Sequence, residues 1–312
     1  MLLRPIVFGP ILLVLLAFAA MVWRWQQDRS AAAAAREQLV SQVLSATTRA
    51  EPDPQELSHL ATLLSKYPDH ESAPDLLAAG ARIELARNRP ERARALFGAR
   101  AANPASTPAE QGLGAEILLR VQAAGVSDAS AATGMLRQAQ GYAERAFEAS
   151  GDPDDLLRAW QAASRLQDRA AVARLTQRLE EVGAESPAAR LAQLAAQFDP
   201  SLPLARVDAL RSAFASPPPE LAAMHVLLLL QSGDVRGASL AAEALLLRAP
   251  GVLAVRWAAA LVFHACALGQ PEGSGERARW VDRRNSQLDW LLQYAPADDS
   301  RRPQWDTMRS SR

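Results

Sequence analysis

Apolar residues follow two patterns along this chain. From Pro5 to Trp23 nineteen consecutive positions carry no charge. Beyond them, apolar residues recur at i, i+3 and i+4 in stretches of roughly 12 to 16 residues, the period of an amphipathic helix. At ~1.5 Å rise per residue the first block covers about the ~30 Å hydrocarbon core of a bilayer. Arg4 stands before it and Trp23, Arg24 and Trp25 follow, placing aromatic rings and a cation where a membrane interface favours them. Residues 1–25 are therefore expected to form a single transmembrane anchor. The competing reading is a cleaved signal, because Ala17-Phe18-Ala19 has the small-x-small form of a cleavage site. Against it, Ala20 to Trp23 continue the apolar run past the cut.

Flanking charge gives the anchor two opposed orientations. Arg24, Arg29 and Arg36 outnumber Arg4, and counting cations alone puts the body in the cytoplasm. The very short N-terminal tail argues for export, and the expectation adopted is a body on the periplasmic side of an inner membrane.

The remaining pattern predicts paired helices at about 30–49/53–67, 72–87/90–102, 108–124/128–150, 153–166/168–182, 186–198/203–215, 219–232/235–249 and 252–268/275–294. Residues 26–52 read as a helical stalk running into the first helix, 53–295 as the paired array, and 296–312 as a polar tail. Pro217, Pro218 and Pro219 make the stiffest loop, a break near 216–219. Helix starts repeat one style. Asp53-Pro54 with Glu56, Thr107-Pro108 with Glu110, and Asp152-Pro153 with Asp155 each combine an N-cap, a proline at the first helical position and an acid at the third. The cap oxygen accepts from an orphan N–H, the proline has none to satisfy, and the acid faces the positive end of the helix dipole. Ser72 with Asp75 reads as a capping box, and Ser186-Pro187 lacks only the acid.

Composition narrows the class. Ala, Leu, Arg, Gln and Glu dominate, while alternating β-branched runs and Asn-Gly or Asp-Gly turns are missing, so the fold class is all-α. The charge balance of 34 basic and 34 acidic residues offers no field to recruit nucleic acid. Cys266 is the sole cysteine, which excludes an internal disulfide and any cysteine-cluster metal site.

A repeat period emerges from the second helices. Ala93, Ala139, Ala171, Ala205, Ala238 and Ala278 each lie just after a helix start, at intervals of 46, 32, 34, 33 and 40. Helical hairpins at a period near 34 are the tetratricopeptide signature. Gly233-Asp234, Ala238 four residues on and Pro250 closing the helix resemble one copy of that repeat; Pro90, Ala93, Leu96, Phe97 and Pro104 resemble another. Ala242 stands where the family usually has a bulky residue. The resemblance covers roughly residues 50–295 and implies a right-handed α-solenoid of about six to seven hairpins, whose first helices line a concave face that binds proteins or peptides.

Catalytic patterns are few. His59, His70, His225 and His264 have no partners at ligand spacing, and His264 and Cys266 point to different sides of one helix. Gly273-Ser274-Gly275-Glu276-Arg277-Ala278 matches the loose dinucleotide fingerprint but follows a helix rather than a strand, and reads as an inter-helix loop. The consecutive acids Asp154-Asp155, Glu180-Glu181 and Asp298-Asp299 read as cap or surface features. No cofactor, metal or catalytic residue is expected. Arg82 and Arg190 on first helices are candidates to clamp a partner carboxylate. Trp257, Trp280, Trp290 and Trp305 crowd the last quarter, and Trp305, in the polar tail, is the candidate exposed contact. The expected function is that of a membrane-anchored scaffold or adaptor. The alternative is an accessory or assembly subunit of a membrane complex, its anchor packed against partner helices through Gly9, Ala17, Ala19 and Ala20. An enzyme requires a deep polar pocket with convergent ionisable groups.

Overall fold

A computed structural model describes residues 8–49, 51–126, 128–199 and 201–311, with side-chain surroundings from residue 21 onward. Among the described residues the chain is all-α, with 15 helices and no strand. It divides into two compact units, Met1–Ile83 and Glu84–Arg312.

In the first unit, α1 runs unbroken over Phe8–Thr47 and packs on α2, Pro54–Leu64. The stalk and the first array helix are thus one element. Leu39, Val43 and Ala46 of α1 and Leu57, Leu60 and Leu64 of α2 are buried, each set on one helical stripe. Asp53 caps α2 by accepting from the Gln55 N–H at 2.9 Å. Arg36 ties α1 to the segment after α2, donating through Nη1 to Asp69 at 2.8 Å and through Nε to Asp75 at 2.7 Å. The expected Ser72–Asp75 capping box does not form. The helix there, α3, starts at Pro74 and runs to Ala86, and the Asp75 carboxyl is held by Arg36, which lowers its pKa. Ser72 instead donates to the Asp69 carbonyl.

No described helix is long and apolar enough to cross a membrane. The block Pro5–Trp23 lies largely outside the residues whose side chains are described.

The second unit is a succession of hairpins: α4 (Pro90–Ala101), α5 (Pro108–Ala124), α6 (Ala129–Ser150), α7 (Pro153–Leu166), α8 (Arg169–Gly183), α9 (Pro187–Ala196), α10 (Leu204–Ser212), α11 (Pro219–Gln231), α12 (Val235–Arg248), α13 (Leu253–Leu268), α14 (Gly275–Tyr294) and α15 (Arg302–Ser310). Each packs on the next in sequence, consistent with a helical repeat array. First helices also touch one another, α5 with α7, α7 with α9 and α11 with α13; from α9 to α11 the packing runs through α10.

The caps act as their residue types require. Thr107 and Glu110 form a reciprocal capping box, and Asp152, Asp168, Ser186, Asp234 and Ser274 each accept from a first-turn N–H. Gly233 sits at φ 86°, the left-handed conformation that lets the chain turn from α11 into Asp234. Of the six alanines that set the repeat period, Ala93, Ala139, Ala171 and Ala238 are buried. Ala205 and Ala278 are exposed, because α10 buries Val207 and Leu210 and α14 buries Arg284, Leu288 and Leu291 in their place.

The last segment departs most from expectation. Residues 302–310 of the supposed polar tail form α15, which packs on α14. Trp305 is 0 % exposed, its ring centroid 6.1 Å from that of Trp257, in a core with Leu288, Leu291 and Ala260. Its neighbours Arg301 and Arg302 do not open the segment to water. Arg302 reaches back to the carbonyls of Leu292 and Ala295, closing the end of α14, and Arg301 pairs with Asp299.

A cleft between the α7–α8 turn and the start of α15

Three long-range contacts fold the second unit back on itself. Gly251 donates its N–H to the Ala123 carbonyl at 2.8 Å, and Gln122 Nε2 donates to the Gly251 carbonyl at 2.8 Å, so the end of α5 meets the entry to α13. A Cβ at position 251 would lie 2.1 Å from the Gln122 carbonyl oxygen, so only glycine permits this approach. The second contact is buried: Arg165 of α7 donates through Nε to Glu220 Oε1 of α11 at 2.7 Å and through Nη1 to the Leu119 carbonyl at 2.8 Å. Both side chains are 6 % exposed. The third joins Gln167, at φ 57° in the α7–α8 turn, to Asp299 Oδ2 at 2.9 Å.

Around these contacts opens a cleft of about 1190 Å³, walled by α8 on one side and by the α13 entry and the segment before α15 on the other. Asp168, Glu180, Glu220, Asp298 and Asp299 line it with Arg165, Arg169 and Arg301. A smaller hollow of about 410 Å³ adjoins it, sharing Arg165, Leu166, Asp168, Leu253 and Pro296 and backed by the stacked rings of Trp290 and Tyr294.

Two ion pairs engage four of the ionisable groups in the larger cleft, Arg165 with Glu220 and Arg301 with Asp299. Burial would raise the Asp299 carboxyl, yet donation from the Arg301 side chain and backbone and from Gln167 outweighs it and brings the pKa to about 2. Glu220 gives Oε1 to Arg165, while its Oε2 is buried without a hydrogen-bond donor. Asp168 is spent partly on the Ala171 N–H, and Glu180 accepts from Gln193. The lining contains no histidine or cysteine. Among the described residues no group of three or more His, Cys, Asp or Glu is placed to hold a metal ion.

The residues proposed from sequence do not converge here. Arg82 is half-buried on α3 in the first unit, and Arg190 is exposed on α9, paired with Glu185. Trp305 is interior. Arg4 lies outside the described residues; Trp23 and Trp25 are 65 % and 54 % exposed, Arg24 is exposed, and Arg29 stacks 4.0 Å from the Trp25 ring. Sequence reasoning missed Arg165, Gln167, Glu220, Gly251 and Asp299. Each pairing joins residues far apart in the chain, and no local motif announces it; only Glu220, an acid one residue after Pro219, carried a signal, and that signal is for a helix start. Gly273 to Ala278 lie between α13 and α14, with Ser274 capping α14 through the Arg277 N–H. No protein-family model matches this sequence, and no curated protein matches it.

Proposed function

We propose that the chain is a membrane-anchored, tetratricopeptide-like scaffold that docks a segment of a partner protein in the cleft of its second unit. The observation that carries the reading is the cleft itself. Its volume of about 1190 Å³ exceeds the ~300–1,000 Å³ usual for small-molecule sites, and its wall is assembled from several hairpins, as a peptide groove in a helical array would be. Binding is favoured over chemistry because Arg165 with Glu220 and Arg301 with Asp299 are already paired, and a carboxyl titrating at about 2 is a poor general base near neutral pH. Pro5–Trp23 and the exposed Trp23 and Trp25 support the anchor.

The test is photo-crosslinking in native membranes from a benzophenone side chain at Gln177, which is exposed in the cleft wall, with Arg92 of α4 as the remote control. A discrete adduct from position 177 alone supports the reading. No adduct, or the same adducts from both positions, overturns it. The anchor is tested separately: the full chain should stay with alkaline-washed membranes, and the chain lacking residues 1–25 should be soluble and strongly helical.

A further inference from the structure

We infer that the segment docked in this cleft is basic, so that lysine or arginine side chains are what the cleft recognises. The inference rests on the docking reading above and names its ligand chemistry. Five carboxylates line the cleft against three guanidinium groups, Arg165, Arg169 and Arg301, a surplus of negative charge in the lining. Arg165 answers Glu220 and Arg301 answers Asp299, whereas Asp168 and Glu180 accept from the neutral Ala171 N–H and Gln193 amide. Asp298, exposed at the rim, has no ion pair among the described residues.

A second, independent observation points the same way. Glu220 is only 5 % exposed, lines the cleft, and keeps Oε2 without a donor. A buried carboxylate oxygen left unsatisfied costs free energy that an incoming donor recovers. An ammonium or guanidinium group seated against this floor supplies both the donor and the charge.

The arginine-rich hollow of about 350 Å³ between α5, α7 and α11 makes a useful contrast. Arg120, Arg158, Arg165, Arg211 and Arg248 line it against Glu116 and Asp154, so its lining carries the opposite sign of charge. The cleft carries a negative surplus and the hollow a positive one. A cleft of this volume with surplus negative charge suits a basic segment, whose binding is steered by the field and weakened by salt.

The experiment measures fluorescence anisotropy of a labelled peptide of alternating lysine and alanine, and of its glutamate–alanine counterpart, with the full chain in a neutral detergent. The basic peptide should bind saturably and the acidic one should not. Glu220→Gln should weaken binding by at least about tenfold, the scale for removing one member of a desolvated charge contact. Because Glu220→Gln also disturbs Arg165, the exposed pair Asp298→Asn with Glu180→Gln gives a second reading, each expected to cost about 1.5- to 5-fold. Glu185→Gln, an exposed acid outside the cleft, should change nothing. Equal or tighter binding of the acidic peptide, absence of saturable binding, or indifference to the Asp298 and Glu180 substitutions overturns the inference. If the Gln177 adduct still forms with a partner segment that is neutral or acidic, the docking reading stands and only the basic assignment falls.

Discussion

Replacing Trp305 by alanine should detach the C-terminal helix. The side chain is fully buried against Trp257, Leu288, Leu291 and Ala260. Aromatic side chains bury ~150–250 Å² each, worth about 4–6 kcal/mol at ~25 cal/mol per Å². Residual burial in the unfolded chain removes ~10–40 % of that. The indole Nε1 has no hydrogen-bond partner, so the wild-type residue already carries a desolvation cost of about 1–3 kcal/mol that alanine relieves. The tilted contact with Trp257 adds back about 0.5–1.5 kcal/mol. The net loss is about 3 kcal/mol, at the low end of the ~3–5 kcal/mol typical of tryptophan truncation. Because α15 packs chiefly on α14, the loss is expected to appear first as local opening. The assay is native-state hydrogen exchange of the α15 amides, with thermal melting by circular dichroism beside it. Exchange in α15 should accelerate about 100-fold, the equivalent of ~3 kcal/mol. If the unit unfolds as one body, the melting temperature should instead fall by about 6–12 °C. Trp305→Phe should be close to neutral, since it gives up ring volume but removes the orphan N–H. Exchange within tenfold of wild type together with an unchanged melting temperature in Trp305→Ala would refute the packed-tail account.

Two further substitutions probe the contacts that shape the cleft. Arg165→Ala leaves Glu220 buried without its partner and should cost about 3–5 kcal/mol in denaturant unfolding of the whole chain; a loss below ~1 kcal/mol would mean that the pair is solvated. For Asp299, the folded pKa of about 2 lies below the ordinary value of 3.8, so its contribution is complete above the unfolded pKa and fades as pH falls towards 2. It amounts to about 2 kcal/mol at ~1.4 kcal/mol per unit. Asp299→Asn should therefore be less stable than wild type at pH 6 and approach it at pH 2, and parallel stability curves across that range would contradict the assignment.

Local features of the fold were legible in the sequence because they rest on local physics. Capping at Asp53, Thr107, Asp152 and Ser186 needs only a side-chain oxygen within three residues of an orphan N–H, and all four helices start where that chemistry places them. The all-α class follows likewise from residue propensity. Ser72–Asp75 failed because a distant cation, Arg36, competes for the same carboxylate. Trp305 misled for a related reason. Its segment is rich in arginine, which reads as solvated, but Arg302 spends its guanidinium on backbone carbonyls and Arg301 spends its own on Asp299, leaving the indole free to turn inward. The cleft was the least legible feature. Arg165 and Glu220, or Gln167 and Asp299, are ordinary helix and turn residues until the array folds back and joins them.

That closure is the centre of the account, since the cleft exists only if the end of α5 holds the entry to α13. Its most direct test is hydrogen exchange at the single amide of Gly251, whose N–H is donated to the Ala123 carbonyl. Exchange there should be slowed by at least about 10³-fold relative to an unstructured peptide, as for an amide released only by substantial unfolding. Exchange at the rate of an open loop, with α5 and α13 themselves protected, would show that the array does not close and that the cleft does not form.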